Sequence, residues 1–312
     1  MKKKALLKDT LREIRKSFGR FFSIFAIVGI GVAFFAGVRD SVPVMKNTAD
    51  TYFDDYNFMD LKIMSTIGMT KEDVSAIRQV DGVAGVYGSY SMDVLNTHNN
   101  QQRVYKLLSY PMNAKAEDEN YINQMRLIKG RLPQKADECV IEYNNIKGAD
   151  SRIGETITFA SGTDEKLDAS LKRSTYKIVG EVTMPYYLSY EKGSSAIGSG
   201  SIDNYAVIPD TNFKSSYYTE VYVTVDGAKK PNSYADAYFD IIDPKKTTIT
   251  ALGEERAQER FDDIKKEALA KVEAGRKEYE KNKKKYETEI KNAKDKLENA
   301  KDELLVGQAD RK

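Results

Sequence analysis

Residues 21–38 read FFSIFAIVGIGVAFFAGV, eighteen positions without a charge, directly behind a basic N-terminus. At about 1.5 Å per residue such a helix reaches roughly 27 Å, enough to cross a hydrocarbon core. It has no polar face, so it does not suit the surface of a globular core. A cleaved signal peptide needs a shorter apolar stretch and a small-x-small exit; Ala33-Phe34-Phe35-Ala36 fits that poorly. Gly29, Gly31 and Gly37 would let another helix approach, but Gly29 and Gly31 stand two apart and make no spaced packing motif. Before the run come Lys2, Lys3, Lys4, Lys8, Arg12, Arg15, Lys16 and Arg20, against Asp9 and Glu13; after it come Arg39 and at once Asp40. The positive-inside rule therefore predicts a cell-membrane protein with a cytoplasmic N-terminus and everything after residue 38 outside.

The net charge of +2 over 312 residues conceals zones: the basic start, a slightly acidic middle over 39–250, and a nearly balanced end. The basic start suits an anionic inner leaflet. The acidic middle argues against nucleic acid as a partner. One cysteine, Cys139, precludes an internal disulfide, and an exported region of this length can bury a core without one. The one histidine, His98, lies in Asn96-Thr97-His98-Asn99-Asn100 and reads as a solvated loop residue.

Within 5–20, Leu7, Leu11, Ile14 and Phe18 share one helical face and basic residues cover the rest. This predicts an amphipathic helix on the inner membrane surface, turning into the span near Gly19. Residues 43–56 read as a separate helix starting near Ser41, and Phe58–Ser65 as a strand. Thr70 followed by Glu72 and Asp73 marks a helix start, with Val74 and Ile77 facing inward. Asp81-Gly82 turns into one long strand over 83–95, with Val104–Ser109 its hairpin partner. Strand, helix, strand, strand suggests a split βαβ unit. Lys129–Pro133 reads as a turn, and 138–143, 156–159, 176–182 and 221–225 as strands of a second, mostly β lobe. Gly193–Gly200 reads as a flexible loop.

From about Ala251 proline disappears and Lys, Glu and Ala dominate. Leu269, Ile290, Leu297 and Leu304 occupy heptad position a, and Val272, Tyr279, Tyr286, Ala293 and Ala300 position d; Arg276 and Lys283 are polar a residues. Such a seam needs a partner helix, from a second copy or from a returning segment. A continuous helix over 254–306 would extend roughly 80 Å.

Catalytic, cofactor-binding and metal residues are all expected to be none. Gly193 and Gly198 have phosphate-loop spacing, but Ser199-Gly200 stands where Lys-Ser/Thr is required. Single His and Cys residues 41 positions apart make no metal cluster. Asp54-Asp55, Glu117-Asp118-Glu119 and Asp262-Asp263 are adjacent in sequence and diverge on a helix, which does not suit acid–base work. Glu138 and Glu142 read as strand ends, and Cys139 has no candidate base beside it. The chain is therefore read as not an enzyme. Tyr186, Tyr187, Tyr190, Tyr205, Tyr217 and Tyr218, with the 193–200 loop, are the expected contact surface.

Segments 8–38, 57–77 (NFMDLKIMSTIGMTKEDVSAI), 127–142 (LIKGRLPQKADECVIE), 153–159 (IGETITF) and 176–187 (YKIVGEVTMPYY) together resemble the N-terminal portion of an FtsX-like, MacB-type ABC transporter permease. The resemblance covers most of 5–226. It implies an α+β fold: a cytoplasmic amphipathic helix (1–20), one N-terminal transmembrane helix (21–38), an extracellular MacB-like domain with a porter-like split βαβ and a β lobe (39–250), and a C-terminal coiled-coil helix (251–312). It implies a non-catalytic permease subunit that couples ATP hydrolysis by a separate ABC ATPase to motion outside the cell, for export or mechanotransmission. Further implied partners are the lipid bilayer, a homodimer mate or second permease, and an extracellular peptide, lipid or cell-wall enzyme. The family also carries further membrane helices, for which no second apolar run stands in this sequence, so on that pattern the chain is a fragment or truncated form. The alternative is a single-pass membrane-anchored scaffold or sensor dimerising through its coiled coil.

Overall fold

The basic and apolar N-terminal stretches form two helices, α1 (Lys2–Lys16) and α2 (Phe18–Asp55), meeting at Ser17. These come from a computed structural model that describes residues 2–112, 114–143 and 151–309. The joint falls at Ser17, two residues before the expected Gly19, and the Ser17 hydroxyl donates to the Glu13 carbonyl at 3.0 Å. Phe22, Phe25, Ile27, Ile30, Phe34 and Phe35 are each more than half exposed, an all-round apolar surface suited to lipid. α2 does not end with the apolar run. The separate helix expected over 43–56 is the continuation of α2, which passes through Arg39, Asp40 and Pro43. Charges end an apolar stretch without ending a helix, and Pro43 removes only one backbone donor.

The remaining elements are β1 (Leu61–Met69), α3 (Lys71–Arg78), β2 (Val83–Ser89), β3 (Ser91–His98), β4 (Gln101–Tyr110), β5 (Arg126–Gly130), β6 (Glu138–Glu142), β7 (Thr156–Thr158), β8 (Thr175–Thr183), β9 (Asn204–Pro209), β10 (Tyr218–Val225) and α4 (Asp236–Ala309). α3 begins as expected: the Thr70 hydroxyl accepts from Asp73 N at 3.2 Å and the Asp73 carboxylate from Thr70 N at 2.8 Å. Such a reciprocal cap is worth about 1 kcal/mol.

The strands form a three-stranded sheet, β1-β10-β2, and a seven-stranded one, β3-β4-β9-β6-β8-β5 with β7 on β8. β10 runs antiparallel to both β1 and β2, so those two are parallel, joined by α3, with a gap that β10 fills. This is the expected split βαβ unit. Its inserted strand is β10, Tyr218–Val225, so the strand expected over 221–225 belongs here and not to the β lobe. The single strand expected over 83–95 is two, because Tyr90 carries the chain from one sheet to the other; Ser109 Oγ accepts from Tyr90 N at 2.9 Å at the crossing. β3 and β4 therefore belong to the second sheet. Their hairpin turns on Asn99 and Asn100, both at positive φ as a two-residue turn requires. The strand expected at 58–65 starts at Leu61 instead, Lys129 and Gly130 end β5 rather than forming a turn, and β9 had not been anticipated.

Both faces of the larger sheet are buried. Leu107, Cys139 and Ile178 pack on one face; Leu108, Val140 and Val179 pack on the other. This explains the nearly unbroken apolar runs of β6 and β9. The 193–200 segment is pinned rather than loose: Ser194 bridges to Ser201, Ser195 Oγ donates to Asp93 Oδ2 at 2.6 Å, and Ile197 is buried.

The chain divides into two compact units, Met1–Ile249 and Thr250–Lys312. Within the first, the opening turns of α4 bury Ile242 against Val225 and Ala228. In the second, Leu269, Val272, Tyr279, Tyr286, Ile290 and Leu297 are all exposed.

Candidate functional site at the end of the first long helix

The last turns of α2 carry polar and aromatic residues that find partners on two distant segments. Asp50 Oδ1 accepts from Ser233 N at 2.6 Å, and Asn47 Oδ1 accepts from Asn232 Nδ2 at 3.1 Å. The Phe53 ring packs against Phe58 at 4.7 Å and Tyr234 at 6.5 Å, and the Lys46 ammonium sits 5.4 Å over the Tyr234 ring. Residues 232–234 lie immediately before α4, so the membrane helix grips the root of the long helix. Tyr52 hydroxyl lies 3.4 Å from Thr183 Oγ1 at the end of β8.

The exit of α2 is equally tied. Asn57, at φ 46°, donates through its side chain to the Glu119 and Tyr121 carbonyls at 3.2 and 3.0 Å; its carbonyl accepts from Asn123 N at 2.8 Å. Asp60 Oδ2 accepts from Val225 N at 2.7 Å and Oδ1 from the Tyr238 hydroxyl at 2.8 Å, linking β1, β10 and α4. Burial raises the Asp60 carboxyl above its ordinary range, and these two donors oppose the shift.

A second cluster joins the two sheets. Glu220 on β10 has only 5% of its side chain exposed. Its carboxylate takes Lys62 Nζ of β1 at 3.1 Å, the Tyr222 hydroxyl at 2.5 Å and the Tyr186 hydroxyl at 3.2 Å. Tyr186 follows β8, so it brings the larger sheet to the smaller one, and Lys62 Nζ also donates to its hydroxyl at 2.5 Å. Burial opposes the charge on Lys62, but Tyr186 and Glu220 outweigh it and hold its pKa above the ordinary value. Burial pushes the Tyr222 hydroxyl far up. Nearby, the Ser109 hydroxyl lies 3.1 Å from Tyr87 and 3.0 Å from Ser89. The cavity between the sheets here holds about 20 Å³, room for one water and not for a ligand.

The expected tyrosine surface does not assemble. Tyr205 is buried in β9, stacks on Tyr187 at 5.0 Å and donates to the Val182 carbonyl at 3.1 Å. Tyr186 is spent on Glu220, and Tyr218 packs on Tyr90 at 5.0 Å. Tyr190 and Tyr217 remain exposed. Cys139 is fully buried, and burial pushes its thiol up to about 12, where it is no nucleophile. Glu138 is more than a strand end: Arg131 grips it with both guanidinium nitrogens at 2.7 and 2.5 Å, and these bonds, against burial, hold its carboxyl down at about 2. Glu142 pairs with Lys192 at 3.1 Å, and His98 is exposed beside Arg152. The Lys62–Glu220 cluster escaped sequence reading. Its one signal is the charge of Glu220 opening the apolar run VYVTV.

The family model described as "MacB-like periplasmic core domain" matches residues 21–238. None of the curated proteins matches the chain. Among solved structures, the extracellular domain of the ABC-type transporter YknZ from Gram-positive bacteria is similar at 14% identity and a TM-score of 0.32, over 53% of this chain and 78% of that one. The periplasmic region of MacB from Actinobacillus actinomycetemcomitans is similar at 12% identity and a TM-score of 0.31, over 60% and 76%.

Proposed function

The chain belongs to the family of MacB-like periplasmic core domains, the extracellular domain of MacB/FtsX-like ABC transporter permeases, and from that membership we propose that it transmits motion between the membrane and its outer domain. On this reading residues 1–20 lie in the cytoplasm, 21–38 cross the bilayer, 39–250 fold outside, and 251–312 form a coiled-coil helix. A separate ABC ATPase supplies the energy; this chain is non-catalytic and holds no cofactor or metal. Export or mechanotransmission is the outcome, with an extracellular peptide, lipid or cell-wall enzyme as target and a second permease copy beside it.

The observation that carries the reading is the grip of α2 on residues 232–234. A helix unbroken from the bilayer to Asp55 is stiff along its axis. Asp50, Asn47, Lys46 and Phe53 hand any displacement to the root of α4. Packed elements pass such shifts on as rigid bodies.

The test is to purify the tagged chain from its own membranes and identify what comes with it. An ABC-type ATPase in stoichiometric amount is expected, with ATP changing amide exchange over 230–245. In the Asp50→Ala, Asn47→Ala chain the ATPase should remain bound and the exchange response should vanish. No ATPase, or an unchanged response in the variant, refutes the reading. A membrane-anchored scaffold is the second reading, favoured by the uncovered apolar seam of the second unit.

A further inference from the structure

The long helix leaves a heptad stripe exposed, and the residues on that stripe differ strongly along its length. After Leu269, position a carries cations (Arg276, Lys283) and then aliphatics (Ile290, Leu297); position d carries bulk early (Val272, Tyr279, Tyr286) and alanine late (Ala293, Ala300). The flanking e positions change sign in the same way, from Glu273, Glu280 and Glu287 to Lys294 and Lys301. The described side chains Val272, Tyr279, Tyr286, Ile290 and Leu297 are all more than half exposed, so nothing within the unit covers the stripe.

A gradient of this kind decides between orientations. In a parallel pair each a residue faces its own copy. Arg276 would then meet Arg276 and Lys283 would meet Lys283 inside the seam, while Ala293 and Ala300 would leave it empty at the other end. In an antiparallel pair a faces d. One register then matches the layers from 276 to 300: Tyr279 with Leu297, Tyr286 with Ile290, Lys283 with Ala293, and Arg276 with Ala300. The small alanines leave room for the long aliphatic stems of the two cations, whose charged ends reach water. In that register Glu273 faces Lys301 and Glu280 faces Lys294 across the e–e flank; only Glu287 and Glu289, at the two-fold axis, meet their own kind.

We propose that the seam of the second unit takes an antiparallel helix, and that its occupant is a second copy of this same helix. This goes beyond the transmission reading, because it names the surface, the partner and the register.

Cysteine crosslinking in the full chain, in its membrane, tests this; Cys139 is buried and stays silent. Glu287→Cys is expected to form a disulfide-linked dimer by itself, because it straddles the axis. Tyr279→Cys should not link to itself, yet should link to a differently tagged Leu297→Cys chain. Replacing both Arg276 and Lys283 by Leu should relieve the parallel arrangement and let Tyr279→Cys link to itself. Self-linking of Tyr279→Cys in the otherwise native chain, or linking of no pair at all, overturns the proposal. The first outcome means a parallel pair, the second another occupant. Loss of the ATPase association, by contrast, bears on the transmission reading alone.

Discussion

Replacing Lys62 by Met should destabilise the first unit more than replacing Glu220 by Gln, although both break the same ion pair. The two partners differ in access to water: 5% of the Glu220 side chain is exposed, against 28% of Lys62. Without Lys62 the carboxylate stays buried, held by the Tyr186 and Tyr222 hydroxyls and the Ser91 hydroxyl at 3.4 Å. Breaking a fully buried pair costs about 3–5 kcal/mol. Three remaining donors and a half-open cation bring this down to about 2 kcal/mol. Without the Glu220 charge the ammonium can swing outward, and the cost falls to about 1 kcal/mol. At roughly 2–4 °C per kcal/mol for a unit of this size, the melting point should drop by about 4–8 °C for Lys62→Met and about 2–4 °C for Glu220→Gln. The double variant should fall short of the sum, since neither charge is then stranded. Of the 20 tyrosines 18 lie before residue 250, and Tyr279 and Tyr286 on the long helix are exposed, so near-ultraviolet circular dichroism of tyrosine reports chiefly on the packed first unit. Equal losses, a larger loss for Glu220→Gln, or strict additivity would refute the argument from unequal burial.

Two pH effects follow from the same geometry. Lys62 is held above its ordinary value of 10.5, and burial raises Tyr222 and Tyr87 above 10.0, so each contributes stability that is full below those values and lost as pH rises past them. Denaturant midpoints should therefore hold level from pH 7 to about 9.5 and fall steeply above about 10, and a level line to pH 12 would contradict this. Glu138 is depressed to about 2 from 4.5, so its contribution is present above about 4.5 and lost as pH falls toward 2. The stability gap between the native chain and Glu138→Gln should close over that window, as urea titrations at pH 5, 4, 3 and 2 will read.

The legible parts of this fold are those specified within one segment. The apolar run at 21–38 and the Thr70-x-x-Asp73 cap each depend on residues a few positions apart and are found where the pattern predicts; the hairpin expected near 98–101 turns on Asn99 and Asn100, and the long helix expected from 251 begins earlier, at Asp236. Misreadings arise where a local pattern continues across a global event. The strand-like run continues from Val83 to Leu95 because Tyr90 is as good a strand residue as its neighbours. What breaks the strand is Ser109, from β4, taking the Tyr90 backbone. Likewise β10 reads as one more apolar strand, and nothing in YTEVYVTV says that it slots between β1 and β2 some 150 residues earlier.

The same distinction explains why the candidate site was hidden. Asp50 to Ser233 and Lys62 to Glu220 each span more than 150 positions, and the charge of Glu220 beside an apolar run is the one local sign of either pair. Tyrosines are favoured at contact surfaces, but a tyrosine in a strand serves the core as well as a partner. Tyr205 and Tyr186 are drawn inward by Val182 and Glu220. The charged and aromatic residues of these contacts sit where elements distant in sequence meet. Along α2 this shows as a change of composition: its first turns are apolar all round, and its last turns, from Lys46 to Phe53, carry the polar and aromatic residues that hold the segment before α4. That change of composition within one unbroken helix marks where its apolar surface gives way to contacts with the folded domain.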